Sequence, residues 1–272
     1  MKFTTIIFLA ISLVASQAQA ELRISCSMFP VYDFTREITA GLAEVSLILK
    51  PGIEPHDFEP SPKDIKALYD SDVFVFTGRQ MEHWADHIAD SLNDTFIADA
   101  SAGIPLNGND PHVWLDLTLA QKMVRNIAAV LCSADPENAE AYSSNTEAYC
   151  SKLAELDAKF MSIAKTKPLV FIGEFSYSYF LRRYGFDYVS AYEGENEPGL
   201  KRLAAIIRHI RENHCRYVLA DDPPISQLTR SIGEQSGATI LTFSSAHNVK
   251  PGKTFLQVMA DNLDALILFL ND

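Results

Sequence analysis

What most constrains this chain is an alternation of short apolar runs with helix-patterned segments that occurs twice, once on each side of a long stretch without an internal breaker. In the first part, Leu22 to Ser27 alternates apolar and polar residues as a half-buried strand does, and Val45 to Leu49, Val73 to Thr77 and Thr95 to Ala98 are further short strands. Helical spacing fills the gaps at Val31 to Leu42, Pro62 to Asp70 and Met81 to Ser91. After Pro168 the pattern returns, with strands at Leu169 to Ile172, Tyr188 to Ala191, Arg216 to Ala220 and Thr239 to Phe243. Helices are expected there at Tyr177 to Tyr184, Gly199 to Asn213, Ile225 to Ser236 and Thr254 to Leu270. Such alternation predicts parallel sheets with helices on their faces. Between the two halves lie a helix from Leu117 to Cys132 and a second one that Asp135-Pro136-Glu137 opens with a cap, a proline and an acid. The second runs to Ala164, and at about 1.5 Å per residue it crosses a whole small domain. The expected architecture is α/β: two lobes, each a parallel sheet flanked by helices, at 21–135 and 166–272, joined by one connector helix at 136–165. A continuous helix resists bending where a loop would not, so little hinge closure is expected.

Residues 1–20 fall outside that pattern. Lys2, the apolar run Ile6 to Val14 and the small-x-small Ala18-Gln19-Ala20 make a secretory signal peptide, too short for a membrane span. Cleavage after Ala20 leaves Glu21 first, with no cysteine directly behind it to take a lipid, so a free periplasmic protein is expected. The formal net charge of -12 argues against nucleic acid and anionic membrane surfaces as partners. Cys26, Cys132, Cys150 and Cys215 allow three disulfide connectivities in an oxidising compartment, and no C-x-x-C spacing picks out a metal or redox motif.

The residues that can carry chemistry sit on loops. Pro51 to Pro62 reads PGIEPHDFEPSP and presents His56 among Glu54, Asp57 and Glu59. Proline fixes its own φ and restricts the residue before it, so this loop is stiff without being helix or strand. In open α/β sheets, ligands bind at loops leaving the carboxyl ends of strands, and His56 follows such a strand. His112 is the second candidate, in Asp110-Pro111-His112-Val113-Trp114-Leu115-Asp116, with Asp116 as a possible holder of its other ring nitrogen. Either histidine alone is equally compatible with a solvated turn or an ordinary helix start.

Together, Pro55-His56-Asp57-Phe58-Glu59-Pro60 and Asp110-Pro111-His112-Val113-Trp114-Leu115-Asp116 resemble the first two ligand motifs of the zinc/manganese-type solute-binding proteins of metal ABC importers (the cluster 9 or A-I family). Tyr179 to Phe186 is similar to that family's segment after its third ligand, and Glu197-Pro198 to its later acidic motif, so the likeness covers the whole mature chain. The resemblance implies a monomeric periplasmic protein that is not an enzyme, capturing a divalent ion for a membrane permease. It implies His56 and His112 as ligands, with Glu174 at the third ligand position, where zinc-type members usually carry histidine. Oxygen ligands suit manganese and imidazole suits zinc, so Glu174, together with the absence of a long His-rich loop, favours Mn²⁺ with Zn²⁺ next. The family's fourth, carboxylate ligand follows the last strand of the second lobe, where this chain has Phe243. His247, four residues on, is the chosen replacement, with Asp221, Asp222, water or a small chelator as alternatives.

Two other functions fit the same residues. One is a binder of a metal chelate or siderophore-linked metal, using the position vacated at Phe243. The other is a non-haem iron enzyme built on two histidines and one carboxylate, although no nucleophile–base pair stands near the motif. His83 and His87, four apart on a helix, read as a surface pair, since Trp84 occupies the place a metalloprotease base needs.

Overall fold

The computed structural model describes residues 21–108, 110–193, 198–247, 249 and 252–272, with only the backbone of Asp86. The first lobe contains β1 (Leu22–Cys26), α1 (Phe29–Thr39), β2 (Ala43–Leu47), α2 (Pro62–Tyr69), β3 (Val73–Phe76), α3 (His83–Ala89) and β4 (Phe96–Asp99). Two long helices follow, α4 (Leu117–Ala134) and α5 (Ala139–Met161). The second lobe contains β5 (Leu169–Phe171), α6 (Ser178–Tyr184), β6 (Tyr188–Ser190), α7 (Leu200–Glu212), β7 (Tyr217–Ala220), α8 (Gln227–Ser236), β8 (Thr239–Thr242) and α9 (Phe255–Leu270). Its strands are parallel in the order β6-β5-β7-β8, mirroring β2-β1-β3-β4 in the first lobe. The alternation read from the sequence therefore gives two parallel sheets flanked by helices, as expected. Every strand of one sheet ends at the same edge, so the loops carrying His56, Glu174 and His247 all leave carboxyl ends.

Two boundaries differ from the sequence reading for local reasons. The first helix begins at Phe29 rather than at Val31: Pro30 sits in the first turn of α1, where a missing N–H costs nothing. Asp135 does not cap the connector. Its carboxylate is buried and accepts from the Asn138 side chain at 2.7 Å and the Tyr142 hydroxyl at 2.8 Å, so α5 begins at Ala139 behind Asn138. By contrast Ser61 and Asp64 form the reciprocal capping box that starts α2, and Thr254 with Gln257 does the same for α9.

The connector does not span open space. It packs against α4 and α1 on one side and α9 on the other, and one apolar cluster runs through both lobes. Phe34 of α1 meets Phe255 of α9 edge-on at 4.9 Å, and Asp33 accepts the Phe255 backbone N–H at 2.8 Å. The lobes are joined by packed core as well as by a helix. All four cysteines are free thiols, with Cys26 and Cys150 buried.

Glu82 is a deeply buried acid of the first lobe. It accepts from Ser27 and from the backbone N–H groups of Thr77 and Gly78, yet burial wins and pushes its carboxyl from 4.5 up to about 7. The folded chain thus holds this proton more tightly than the unfolded chain. Its stabilising contribution is complete below about pH 4.5 and is lost as the pH rises to about 7. Glu82→Gln removes that dependence. In urea denaturation at a series of pH values, wild type is expected to lose stability relative to the variant across this window, by up to about 1.4 kcal/mol per pH unit. A pH-independent difference between the two rules the assignment out.

Candidate metal centre

The proline loop is anchored at both ends. Ile48 and Leu49 extend the β2 ladder by bonding Cys26 and Ser27, and the Ser61 cap fixes the exit into α2. Between them the Phe58 N–H closes a turn on Pro55 C=O at 3.3 Å, and Phe58 packs on Trp84 at 5.8 Å. The Glu54 carboxylate accepts the His56 backbone N–H at 3.3 Å, which folds that acid back over the loop. His56 is half-buried as a result.

His112 lies just before a 3-10 turn, Val113–Leu115, and is only 3% exposed. Its Nδ1 stands 2.7 Å from Asp110 Oδ1, which also accepts the His112 backbone N–H at 2.9 Å. The second oxygen of Asp110 accepts from Ser178 on α6 of the other lobe. Burial pushes the Asp110 carboxyl up, but the hydrogen bonds from His112 and Ser178 prevail and hold it below the usual range. An ionised Asp110 assigns the proton to Nδ1 and leaves the lone pair on Nε2. That Nε2 is buried with no hydrogen-bond partner among the described residues. Asp116, the holder expected from sequence, is occupied elsewhere, capping α4 through the Thr118 and Leu119 N–H groups at 2.9 and 3.4 Å. The decisive Asp-x-His spacing was present in the sequence, but either flanking acid satisfied it on paper.

From the second lobe, the loop after β8 brings in His247. Its Nδ1 is 2.7 Å from Ser245 Oγ, whose N–H reaches Asp221 at 2.9 Å, while Trp114 Nε1 donates to Ser245 C=O at 2.7 Å. Ring centres are 5.4 Å apart for His56 and His112, and 6.2 Å for His112 and His247. Phe243 has turned entirely into the core, 0% exposed against Phe171, Tyr177 and Phe180. Glu174 is exposed and lines a cavity of ≈ 240 Å³ together with Glu54, Asp221, Asp222 and His247. Burial raises the Asp222 carboxyl, with Asp221 beside it adding repulsion. His83 and His87 stay exposed on α3, as a surface pair.

Two imidazoles sharing a tetrahedral ion at the usual bond lengths have centres about 5 Å apart. Among the described residues no group of three or more His, Cys, Asp or Glu side chains forms a ready-made ion cage. The His56–His112 and His112–His247 pairs are thus each near ligation spacing.

Comparison with known proteins places the chain in a family. The family model described as "Zinc-uptake complex component A periplasmic" matches residues 24–267. The chain belongs to this family. It is 29% identical to the Bacillus subtilis high-affinity zinc uptake system protein ZnuA, over 90% of this chain and 86% of that protein. It is 28% identical to the zinc-binding protein AdcA of Streptococcus pyogenes over 92% of this chain, and spans 56% of the length of AdcA. Among solved structures, the Zn(II)-bound ZnuA-like domain of Streptococcus pneumoniae AdcA superposes with a TM-score of 0.80 at 27% identity, covering 93% of this chain and 100% of that one. FpvC of Pseudomonas aeruginosa in complex with Mn²⁺ gives 0.78 at 25%, covering 92% and 98%.

This is a family of uptake components, which removes the iron-enzyme reading. Tyr179 to Phe186 of the sequence motif forms most of α6 and its glycine-closed end, where Gly185 adopts φ +67°. Glu197 of the later acidic motif and residues 1–20 lie outside the described residues. No helix among those described is long and apolar enough to cross a membrane. If Asp110 orients His112, Asp110→Ala is expected to weaken divalent-metal affinity roughly 10- to 100-fold at unchanged circular dichroism. Wild-type affinity in that variant, measured by chelator competition, refutes the role.

Proposed function

We propose that this chain captures a divalent transition metal outside the cytoplasm and delivers it to the permease of an ABC importer, with zinc as the ion. His56, His112 and His247 hold it, and Glu174 stands on the wall of the adjoining cavity. The observation that carries this is His112: a buried imidazole whose Nδ1 is fixed by Asp110 and whose Nε2 has no hydrogen-bond partner among the described residues. A buried polar atom left unpaired costs free energy, and an arriving cation satisfies it. Family membership agrees, and the low net charge of the chain suits a cationic cargo.

Zinc takes precedence over the manganese preference read from Glu174. Three imidazoles are a nitrogen-rich set, which suits zinc, whereas manganese favours carboxylate and water. Zinc is also the ion in the names of the relatives ZnuA and AdcA, while manganese appears with FpvC. Manganese remains the second candidate cargo. The protein is read as a monomer, exported by the signal at residues 1–20 and working in the periplasm as two lobes at 21–135 and 166–272 around the connector at 136–165.

Isothermal titration of purified protein, stripped of metal, is expected to show one Zn²⁺ bound per chain. The double variant His56→Ala/His112→Ala is expected to lose at least about a hundredfold in affinity. Because imidazoles must be deprotonated to coordinate, affinity is also expected to fall as the solution is acidified. A wild-type chain that takes up no divalent ion by titration or elemental analysis sinks the proposal.

A further inference from the structure

We infer that Glu54, which no sequence motif assigned to the ion, is the carboxylate ligand that completes the shell. This inference rests on the metal-capture reading above. The second lobe has no carboxylate to give at the expected place, because Phe243 is sealed in an aromatic cluster. Its nearby acids are committed. Asp221 Oδ1 accepts backbone N–H groups from Asp222 at 2.7 Å and Ser245 at 2.9 Å, and Asp222 accepts from Ser244. Both serve to shape the loop that carries His247.

Glu54 approaches from the opposite lobe. Its Oε1 accepts the His56 N–H at 3.3 Å, so the carboxylate is tied to the backbone of a ligand residue. Its Oε2 lies 3.8 Å from His247 Nε2. That separation is too long for a hydrogen bond. It is close to the donor–donor distance of about 3.4 Å between two ligands on one tetrahedral ion. The ring orientation agrees: with Nδ1 against Ser245 Oγ at 2.7 Å, His247 turns its Nε2 towards Glu54. His247 and Glu54 therefore face one another as two ligands with room for an ion between them, one from each lobe. The His112 ring stands 6.2 Å from the His247 ring and 5.4 Å from the His56 ring, which makes it the neighbour of both. The resulting set is three imidazoles and one carboxylate. Its carboxylate comes from the proline loop, two residues before His56, so a single stiff loop supplies two ligands.

The test is Glu54→Gln, which keeps the shape and removes the charge, beside Glu174→Gln. Zn²⁺ affinity is read by competition with a chromophoric chelator, and shell composition by the visible spectrum of the Co²⁺-loaded protein. Glu54→Gln is expected to weaken Zn²⁺ by tenfold or more and to shift the Co²⁺ bands. Glu54→Asp is expected to recover part of the affinity, and thermal unfolding of the metal-free variants is expected to match wild type. Glu54→Gln with wild-type affinity and an unshifted Co²⁺ spectrum overturns the inference, and does so most pointedly if Glu174→Gln shows both losses. Because wild type is titrated alongside, a chain that binds no zinc at all counts against the metal-capture reading, whereas tight binding by both wild type and Glu54→Gln counts against Glu54 alone.

Discussion

The arrangement at the cleft depends on one hydrogen bond, from the Trp114 indole N–H to the Ser245 carbonyl at 2.7 Å. Trp114 is fully buried, two residues after His112 and in edge contact with its ring at 5.2 Å. Ser245 is fully buried, two residues before His247 and bonded to its Nδ1. This single contact sets the loop of the first lobe against the loop of the second. In a water-free interior such a bond is held firmly, since breaking it leaves two polar groups unpaired. The spacing of His112 and His247 is therefore a property of the core.

The rest of the interface follows the same logic of shared burial. Ser178 of α6 reaches Asp110, the Asn107 backbone N–H reaches the Tyr179 hydroxyl at 2.8 Å, and Asp33 receives the N–H of Phe255. Each joins a polar group of one lobe to one of the other, and that of Asp33 and Phe255 is buried. Little hinge closure was expected from the connector helix alone. The packed core running through both lobes supplies a second and stronger reason, because close-packed interiors deform in discrete rearrangements rather than smoothly.

Much of this was legible in the residues. The Ser61–Asp64 and Thr254–Gln257 capping boxes, and Gly185 and Gly237 after their helices, are local signals decided by neighbours within a few positions. The start of α5 was misplaced because Asp135 reads as a cap, whereas burial gave its carboxylate two side-chain donors instead. The roles of Asp110 and Asp116 were exchanged for a related reason. Both flank His112 at plausible spacing, and only the direction of the chain into α4 tells which one faces the ring.

By itself, the sequence determined the alternation that makes two parallel sheets, the stiffness of the loop holding His56, and the family to which His56 and His112 point. Those features depend on backbone preference and hydrophobic period, which act over a few residues. The tertiary structure alone decided that Phe243 faces the core, that His247 meets His112, and that Glu54 of the first lobe faces His247. These are distances between segments up to some two hundred residues apart, set by how two cores pack together, and no local preference encodes them.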